Sequence, residues 1–286
     1  MSVLFSRVAV LGTGLIGGSF ALALRRSFPE TRVVGWDKAE VLPGALERGA
    51  VQEIEAELGA ALRGAELVYV ALPVGMALDL LPEIARTAEP SALVTDACST
   101  KVAVCRVAEQ HFTGSVRFLG GHPMAGKEVS GIAHADQELF RGAKYALIGE
   151  PSDSDPRVQA FARLIEVIGA QPVWLDADTH DWAVAIISHL PQMVALALAR
   201  VVAEETDETG LPLALAGPGL RDMLRLAGAS YELWRDISLT NAQNLARALD
   251  RLAQAAEYLR TVLARRELGD EFLTANDIYK KLRELQ

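Results

Sequence analysis

The chain has 286 residues, of which 50% are hydrophobic and 23% are charged, and its formal net charge is -9. This balance is typical of a folded globular protein and excludes an intrinsically disordered chain. The acidic character, with a pI of about 5.2, argues against nucleic acid or an anionic membrane surface as a partner, because both attract basic proteins.

Cysteine usage and hydropathy indicate where the protein works. The spacing of the two cysteines, Cys98 and Cys105, matches no zinc site and suggests no disulfide framework, which favours a reducing compartment. No signal-peptide pattern opens the sequence, and no uninterrupted apolar segment reaches the roughly 18 residues of a membrane span. We therefore expect a cytoplasmic protein with no metal site and no membrane partner.

A glycine-rich turn joins the first predicted strand, residues 7–11, to a helix rich in alanine and leucine at residues 19–27. The pattern GxGxxG between a strand and a helix is typical of dinucleotide binding. The first glycine makes the tight turn, the second admits the pyrophosphate and the third lets helix and strand pack closely, while amides at the helix N-terminus face the phosphates. The cofactor-binding residues predicted here are Gly12, Gly14, Leu15, Ile16 and Gly17.

Asp37 follows the second predicted strand, residues 32–36, and lies twenty residues after Gly17. A carboxylate at this position accepts hydrogen bonds from the adenosine ribose and repels a 2′-phosphate, which favours NAD over NADP. Lys38 weakens that preference. A glycine turn before an ordinary helix is the alternative, but the strand, the helix and the acid together favour a cofactor site.

Strands and helices alternate through the following residues. Strands are predicted at residues 66–71, 92–95, 116–119, 144–149 and 171–175, and helices at residues 39–48, 74–87 and 102–111, with a further helix ending at residue 168. Such alternation predicts a mostly parallel sheet of the Rossmann type, covered by helices on both faces. Ligands on these sheets lie beyond the carboxyl ends of the strands, so we expect Leu72, Pro73, Ser99 and His122 to face one crevice with the glycine turn.

After Asp176 the pattern changes to helices alone. They are predicted at residues 178–208, with an interruption at Pro191, and at residues 221–227, 231–267 and 270–285. We therefore predict an α/β dinucleotide-binding domain at residues 1–176 and an all-α domain at residues 177–286. Apolar positions such as Val194, Leu196 and Leu198 exceed what so small a bundle can bury, which favours a homodimer through the helical domain.

His122 lies in a segment, residues 120–131, that contains four glycines among its twelve residues. Pro123 disfavours a helix there, and we expect a stiff loop directly after the strand, where an imidazole can exchange a proton near neutral pH. Gly120, Gly121 and Gly126 would let substrate and nicotinamide approach the backbone. A structural turn that happens to carry a histidine is the alternative, and the predicted crevice favours the catalytic interpretation.

Two further groups are candidates for substrate contacts. His189 lies beside the helix interruption at Pro191, where side chains can line a cavity, although a helix histidine bonded to a neighbour is the alternative. Arg221 and Arg225 lie about one helical turn apart and offer two guanidinium groups to carboxylates. The alternative for this pair is a solvated basic stripe, which the residues alone favour.

Five motifs occur in the order seen in the prephenate dehydrogenase family, which the chain resembles over nearly its whole length. They are Asp96-x-x-Ser99-x-Lys101, Gly121-His122-Pro123-Met124-Ala125-Gly126, His180-Asp181, Ser188-His189-Leu190-Pro191 and Trp234-Arg235-Asp236. The resemblance implies a Rossmann domain followed by a helical dimerisation domain. It also implies oxidative decarboxylation of prephenate to 4-hydroxyphenylpyruvate, the tyrosine precursor, with NAD+ as hydride acceptor. Some members act on arogenate or on both substrates.

The resemblance also implies roles for individual residues. His122 would hydrogen-bond the substrate 4-hydroxyl and take its proton, and Ser99 would orient this histidine while touching the hydroxyl and the nicotinamide. Arg225 would bind the ring carboxylate, and Glu128 would help to hold the pocket shut. The remaining pocket or entrance positions are Ser188, His180 and Trp234.

Two positions depart from the family pattern. Gln192 stands where some prephenate-specific relatives have a histidine, and Lys127 where many have a smaller hydroxyl residue. Because arogenate-preferring relatives tend to place an acid near position 192, a neutral glutamine favours prephenate, with arogenate or dual specificity as the alternative. The sequence shows neither an ACT-like regulatory segment nor a chorismate mutase segment, so we expect any feedback by tyrosine to act at the active site.

Two other classes of protein fit less well. A β-hydroxyacid-type dehydrogenase would carry a lysine in a glycine-rich helix at the start of the second domain, where this chain has His180-Asp181-Trp182. A noncatalytic NAD-sensing protein would not need Ser99, His122 and Arg225 together.

Overall fold

The computed structural model describes residues 4–127, 129–206, 209–263 and 267–284. The strands within these ranges are β1 (Arg7–Leu11), β2 (Arg32–Trp36), β3 (Glu53–Glu55), β4 (Leu67–Val70), β5 (Leu93–Asp96), β6 (Arg117–Pro123), β7 (Lys144–Ile148) and β8 (Gln171–Leu175). The helices that alternate with them are α1 (Leu15–Ser27), α2 (Leu42–Glu47), α3 (Leu58–Leu62), α4 (Val74–Thr87), α5 (Val102–His111) and α6 (Pro156–Val167). The helices that follow are α7 (Ala177–Val184), α8 (Leu190–Glu205), α9 (Leu211–Ala214), α10 (Pro218–Leu224), α11 (Tyr231–Thr240), α12 (Ala242–Val262) and α13 (Gly269–Glu284).

The strands form one eight-stranded sheet with the order β3-β2-β1-β4-β5-β6-β7-β8. Neighbouring strands are parallel except β6 and β7, which are antiparallel. Every residue of β4 is buried, because two apolar clusters cover opposite faces of the sheet. The predicted α/β architecture is confirmed. The short elements β3 and α3 are not predicted from the sequence, because each is too short to show a clear periodicity.

Strand β6 extends further than the sequence predicts. The sequence indicates a strand that ends at Leu119, with His122 on a loop, whereas the strand continues to Pro123. Its first half pairs in parallel with β5, and its second half pairs in antiparallel with β7, which places His122 opposite Ala146. The predicted loop is wrong because strand pairing, a tertiary interaction, overrides the local signal of glycine and proline.

The helical part is divided more finely than the sequence predicts. Helix α7 ends at Val184, a π-helical turn covers Ala185–His189, and α8 begins at Leu190 with Pro191 in its first turn. The helical run is continuous at this point, and the change to π-helical hydrogen bonding directly before Pro191 accommodates a residue that has no amide proton to donate. The predicted helix at residues 231–267 is interrupted at Asn241, between α11 and α12.

The helical run Ala177–Glu205 is 29 residues long and has a mean hydropathy of 1.6 in its most apolar window, which meets the length and composition of a membrane span. The sequence prediction concerned an uninterrupted apolar segment, whereas polar residues such as His189 and Gln192 interrupt this run. The side chains that the run buries include the polar groups of His180, Asp181, His189 and Gln192. The apolar run therefore also carries a buried polar face.

Candidate active site

The glycine turn between β1 and α1 has the geometry that a dinucleotide needs. Gly12 has a φ of +88°, and a Cβ there would lie 2.4 Å from the Ala71 carbonyl oxygen. A Cβ at Gly17 would lie 1.9 Å from the Gly12 oxygen, whereas one at Gly14 would meet no atom of the described residues within 4 Å. Packing therefore requires the first and third glycines, and the middle one leaves space that fits a pyrophosphate.

Asp37 is positioned beside this turn by hydrogen bonds. Its Oδ2 accepts from the Thr13 amide at 2.6 Å and from the Thr13 hydroxyl at 3.1 Å, and its Oδ1 accepts from the Lys38 amide at 2.7 Å. The carboxylate follows β2 at the carboxyl edge of the sheet. This is the position from which an acid contacts the ribose in dinucleotide-binding folds.

Two cavities meet at the carboxyl edge of the sheet. The first, of about 370 Å³, is named the nucleotide cavity, and its lining includes Gly14, Leu15, Ile16, Leu72, Pro73 and Ser99. The second, of about 440 Å³, is named the histidine cavity, and its lining includes Ser99, His122, Lys127, Ser188, His189, Gln192 and Trp234. Because Ser99 lines both cavities, a ligand in one can contact a ligand in the other.

His122 begins a chain of hydrogen bonds that leads away from the histidine cavity. Its Nδ1 lies 2.9 Å from Nε2 of His180, and Nδ1 of His180 lies 2.8 Å from Oδ1 of Asp181. Asp181 also accepts hydrogen bonds from the amides of Lys101 at 2.7 Å and Val102 at 2.9 Å, at the start of α5. His180 and Asp181 are buried, so α7 supports the His122 ring from behind.

These bonds determine where the protons lie when both imidazoles are neutral. The Asp181 carboxylate can only accept, so His180 carries its proton on Nδ1 and leaves Nε2 as an acceptor. His122 must then donate from its own Nδ1, which leaves a lone pair on its Nε2. A side chain that lines a cavity with such a lone pair can remove a proton from a bound hydroxyl group.

The protonation state of the cavity histidines follows from their burial. Burial lowers the pKa of His122 well below its ordinary value, and the positive charges that His180, Lys101 and His189 can carry lower it further. Burial likewise lowers the pKa of His189 to about 4. Both rings are therefore uncharged at neutral pH, which is the state that a general base requires.

Lys101 and Asp96 form a fully buried ion pair at the end of β5, the strand that pairs with β6. The Lys101 ammonium also donates to the Gly121 carbonyl at 2.6 Å, and Asp96 accepts from the amides of Cys98 at 2.9 Å and Gly121 at 3.1 Å. Burial by itself would lower the pKa of Lys101, but the Asp96 carboxylate raises it, so the ammonium stays charged. The pair ties the loop that carries Ser99 to strand β6.

Packing within the protein accounts for two of the glycines next to His122. A Cβ at Gly121 would lie 2.6 Å from the Asp96 carbonyl oxygen, and a Cβ at Gly120 would lie 3.0 Å from the Cys105 Sγ. At Gly126 no atom of the described residues lies within 4 Å of an added Cβ. Space for a ligand to approach the backbone is therefore present at Gly126, whereas Gly120 and Gly121 allow neighbouring strands and loops to pack.

The helical side of the histidine cavity is formed by perpendicular rings of His189 and Trp234, whose centroids lie 5.7 Å apart. Asn241 donates from Nδ2 to the Asp181 carbonyl at 2.7 Å and contacts Nδ1 of His189 at 3.2 Å. The role of Asn241 beside the cavity is not predicted from the sequence. The sequence signal that could have indicated it is an asparagine inside a long predicted helix, where its side chain competes with the helical hydrogen bonds.

Two predicted substrate-binding residues, His180 and Arg225, are not among the described residues that line the histidine cavity. His180 lies behind His122, to which it is hydrogen-bonded. Arg225 is exposed on the 3₁₀ turn Arg225–Gly228, while the next residue, Leu226, lines the cavity. Glu128 lies outside the described residues.

Two protein-family models match consecutive parts of the chain. "Prephenate dehydrogenase, nucleotide-binding domain" matches residues 20–174, and "Prephenate dehydrogenase, dimerization domain" matches residues 176–275. The first range ends in the last strand, β8, and the second begins directly before α7.

Curated relatives cover most of the chain. It is 35% identical over 239 residues to the prephenate dehydrogenase of Lactococcus lactis, a match that covers 83% of this chain and 65% of the relative. It is 32% identical over 282 residues to the prephenate dehydrogenase of Bacillus subtilis, a match that covers 97% of this chain and 76% of the relative. The chain therefore spans about two thirds to three quarters of the length of these relatives.

Solved structures resemble the whole fold. The prephenate dehydrogenase of Aquifex aeolicus in complex with hydroxyphenyl propionate and NAD+ has a TM-score of 0.89 at 26% identity, covering 100% of this chain and 99% of that one. The arogenate dehydrogenase of Synechocystis has a TM-score of 0.80 at 32% identity, covering 96% of this chain and 99% of that one. Because both family domains and the Bacillus relative match this chain, the chain belongs to the prephenate dehydrogenase family.

Proposed function

We propose that the protein is an enzyme that oxidatively decarboxylates prephenate to 4-hydroxyphenylpyruvate, with NAD+ as the hydride acceptor. The observation that carries this proposal is the neutral His122 in a cavity that is joined, through Ser99, to the nucleotide cavity. A base next to a dinucleotide site suits the oxidation of an alcohol. The Lactococcus and Bacillus relatives are named for this activity, and the Aquifex structure contains NAD+.

Residues in and beside the nucleotide cavity support the assignment of the cofactor. The glycine turn and the amides at the start of α1 would hold the pyrophosphate, Asp37 would bind the adenosine ribose, and Ser99 would lie beside the nicotinamide. When bound, NAD+ accepts a hydride. Because the Asp37 carboxylate repels a 2′-phosphate, we propose a preference for NAD+ over NADP+.

His122 would act on the 4-hydroxyl of prephenate. It takes the hydroxyl proton as C4 loses hydride, and C4 becomes a carbonyl carbon. The ring carboxylate then leaves as CO₂, the electron pair of the broken bond makes the ring aromatic, and His122 returns the proton to the oxygen to form the phenol. Since aromatisation drives the release, the protein has mainly to orient the substrate and supply one base. We propose that Arg225 positions the ring carboxylate from the edge of the cavity.

A spectrophotometric assay that crosses prephenate and arogenate with NAD+ and NADP+ tests the proposal. We expect the highest kcat/KM for prephenate with NAD+, because Gln192 offers no negative charge to the ammonium group of arogenate. A higher kcat/KM for arogenate would support the alternative substrate. Absence of NAD(P)H formation with all four combinations would contradict the proposed function.

The lowered pKa of His122 predicts the pH dependence of the reaction. His122 works as a base only when it is neutral, so kcat/KM should fall as the pH drops through its pKa. Because burial holds that pKa well below the ordinary histidine value of 6.5, we expect the acid limb of the kcat/KM profile to lie below pH 6.5. An acid limb at or above that value, with the fold intact by circular dichroism, would contradict the role given to His122.

We also propose that residues 177–286 form a helical domain that pairs with a second copy, while residues 1–176 bind the cofactor. Apolar side chains are exposed along α13, among them Phe272, Leu273 and Tyr279, and they would be covered in a homodimer. The family description that matches residues 176–275 is that of a dimerization domain. A dimer would also account for the apolar run Ala177–Glu205 in a cytoplasmic protein.

We propose that the protein is cytoplasmic. The free thiols of Cys98 and Cys105 suit the reducing cytoplasm.

A further inference from the structure

We propose that Lys127 binds the side-chain carboxylate of the substrate and thereby helps to determine specificity. The inference rests on the proposed function. Prephenate carries one carboxylate on its ring and another at the end of its pyruvyl side chain. Each of them has to be paired with a positive charge or with hydrogen-bond donors when it leaves water.

Lys127 is the only lysine or arginine among the described residues that line the histidine cavity. The two cavity histidines, His122 and His189, are uncharged at neutral pH because burial lowers the pKa of each. Arg225 lies on the exposed turn beside the cavity and is the candidate for the ring carboxylate. Within the described lining, Lys127 is therefore the source of positive charge for the second carboxylate.

Lys127 can bind a ligand without losing a strong contact. Its ammonium lies 3.2 Å from Oδ2 of Asp136, and 39% of the lysine side chain and 43% of the aspartate side chain are exposed. Ion pairs with this exposure contribute little, because water screens the charges and the long side chain loses conformational freedom. A carboxylate that enters the less hydrated cavity can therefore replace Asp136 as the partner of Lys127.

The competing ligand for Lys127 is the dinucleotide, because this lysine also lines the nucleotide cavity. The phosphates already have donors, since the glycine turn leads into the N-terminus of the 13-residue helix α1. The second carboxylate of prephenate has no other described cation in the lining. Charge complementarity therefore favours the carboxylate. A positive charge at this point also disfavours the ammonium group that arogenate carries beside its carboxylate.

Two phenols that differ by one carboxylate distinguish a Lys127 that binds the substrate carboxylate from a Lys127 that binds the dinucleotide. The ligand 3-(4-hydroxyphenyl)propionate keeps the side-chain carboxylate and lacks the ring carboxylate, whereas 4-ethylphenol has neither. Binding of both, with NAD+ present, is measured by calorimetry for wild type, Lys127→Gln, Lys127→Arg and Arg163→Gln. The last variant removes one positive charge from an exposed position on α6 and serves as the matched control. KM values for prephenate and NAD+ are measured on the same proteins.

We expect Lys127→Gln to weaken binding of the propionate roughly tenfold or more, the scale of one lost charge-assisted hydrogen bond. Binding of 4-ethylphenol and the KM for NAD+ should stay at wild-type values, and Lys127→Arg should restore propionate binding. The KM for prephenate should rise while kcat changes little.

Three results would overturn the assignment. They are unchanged propionate binding in Lys127→Gln, an equal loss for both phenols, and a rise in the KM for NAD+ alone. Failure of wild type to oxidise prephenate would remove the proposed function, whereas the comparison of the two phenols would still test Lys127.

Discussion

Replacing His122 with asparagine is expected to lower kcat by about three orders of magnitude, within the range of a lost general base, while NAD+ binding stays at the wild-type level. Asparagine can still hydrogen-bond to His180 but cannot take up the substrate proton. The nucleotide cavity is lined by the glycine turn, by residues after β4 and β5 and by the loop that follows β6, and His122 is not among its described lining residues. The Kd for NAD+ should therefore be unchanged.

The measurement is steady-state kinetics with prephenate, together with calorimetric binding of NAD+. His111→Asn is a suitable control, because His111 is exposed at the end of α5 and outside the described lining of both cavities. Turnover by His122→Asn close to wild type would remove the proposed mechanism. Loss of NAD+ binding in the same variant would indicate a structural role instead.

Replacing Lys101 with methionine is expected to destabilise the fold by about 3–5 kcal/mol, the cost of leaving one partner of a buried ion pair alone. Lys101 and Asp96 are both fully buried, so water cannot solvate the carboxylate that remains. The same change removes the hydrogen bond from the Lys101 ammonium to the Gly121 carbonyl, directly before His122. For a chain of this size the loss corresponds to a decrease in Tm of roughly 10 °C.

Thermal unfolding followed by circular dichroism measures this effect. Adding Asp96→Asn to Lys101→Met should recover part of the loss, because the unpaired charge is removed. Lys281→Met is the matched control, since Lys281 pairs with Asp277 on the exposed surface of α13 and should change stability by less than about 1 kcal/mol. If Lys101→Met unfolds at the wild-type temperature, the buried pair does not have the structural role given to it here.

The signals that predict the cofactor site are local, and several of the predicted residues line one cavity, among them Gly14, Leu72 and Ser99. Gly12, Gly14 and Gly17 meet steric requirements within one strand–turn–helix unit, and Asp37 follows the next strand. Alternation of strands and helices determines on which edge of a parallel sheet these residues lie. Ser99 and His122 were expected at the same edge for this reason, and both line the histidine cavity.

Predictions of element boundaries were less accurate where a contact from another element is needed. Strand β6 continues to Pro123 because β7 pairs with it, and the helix break at Asn241 coincides with bonds to Asp181 and His189. Neither contact can be read from the residues around these positions, because hydrophobic periodicity reports burial of a face and does not identify the partner.

By itself the sequence determined the α/β class, the dinucleotide turn and the motifs that indicate the family. Only the tertiary structure showed that His180 lies behind His122, that Asp181 directs the protons of both rings, and that Lys127 lines both the histidine cavity and the nucleotide cavity. The physical reason is distance along the chain. His122 and His180 are 58 residues apart, and a hydrogen bond of 2.9 Å depends on how β6 and α7 pack, which no local pattern encodes.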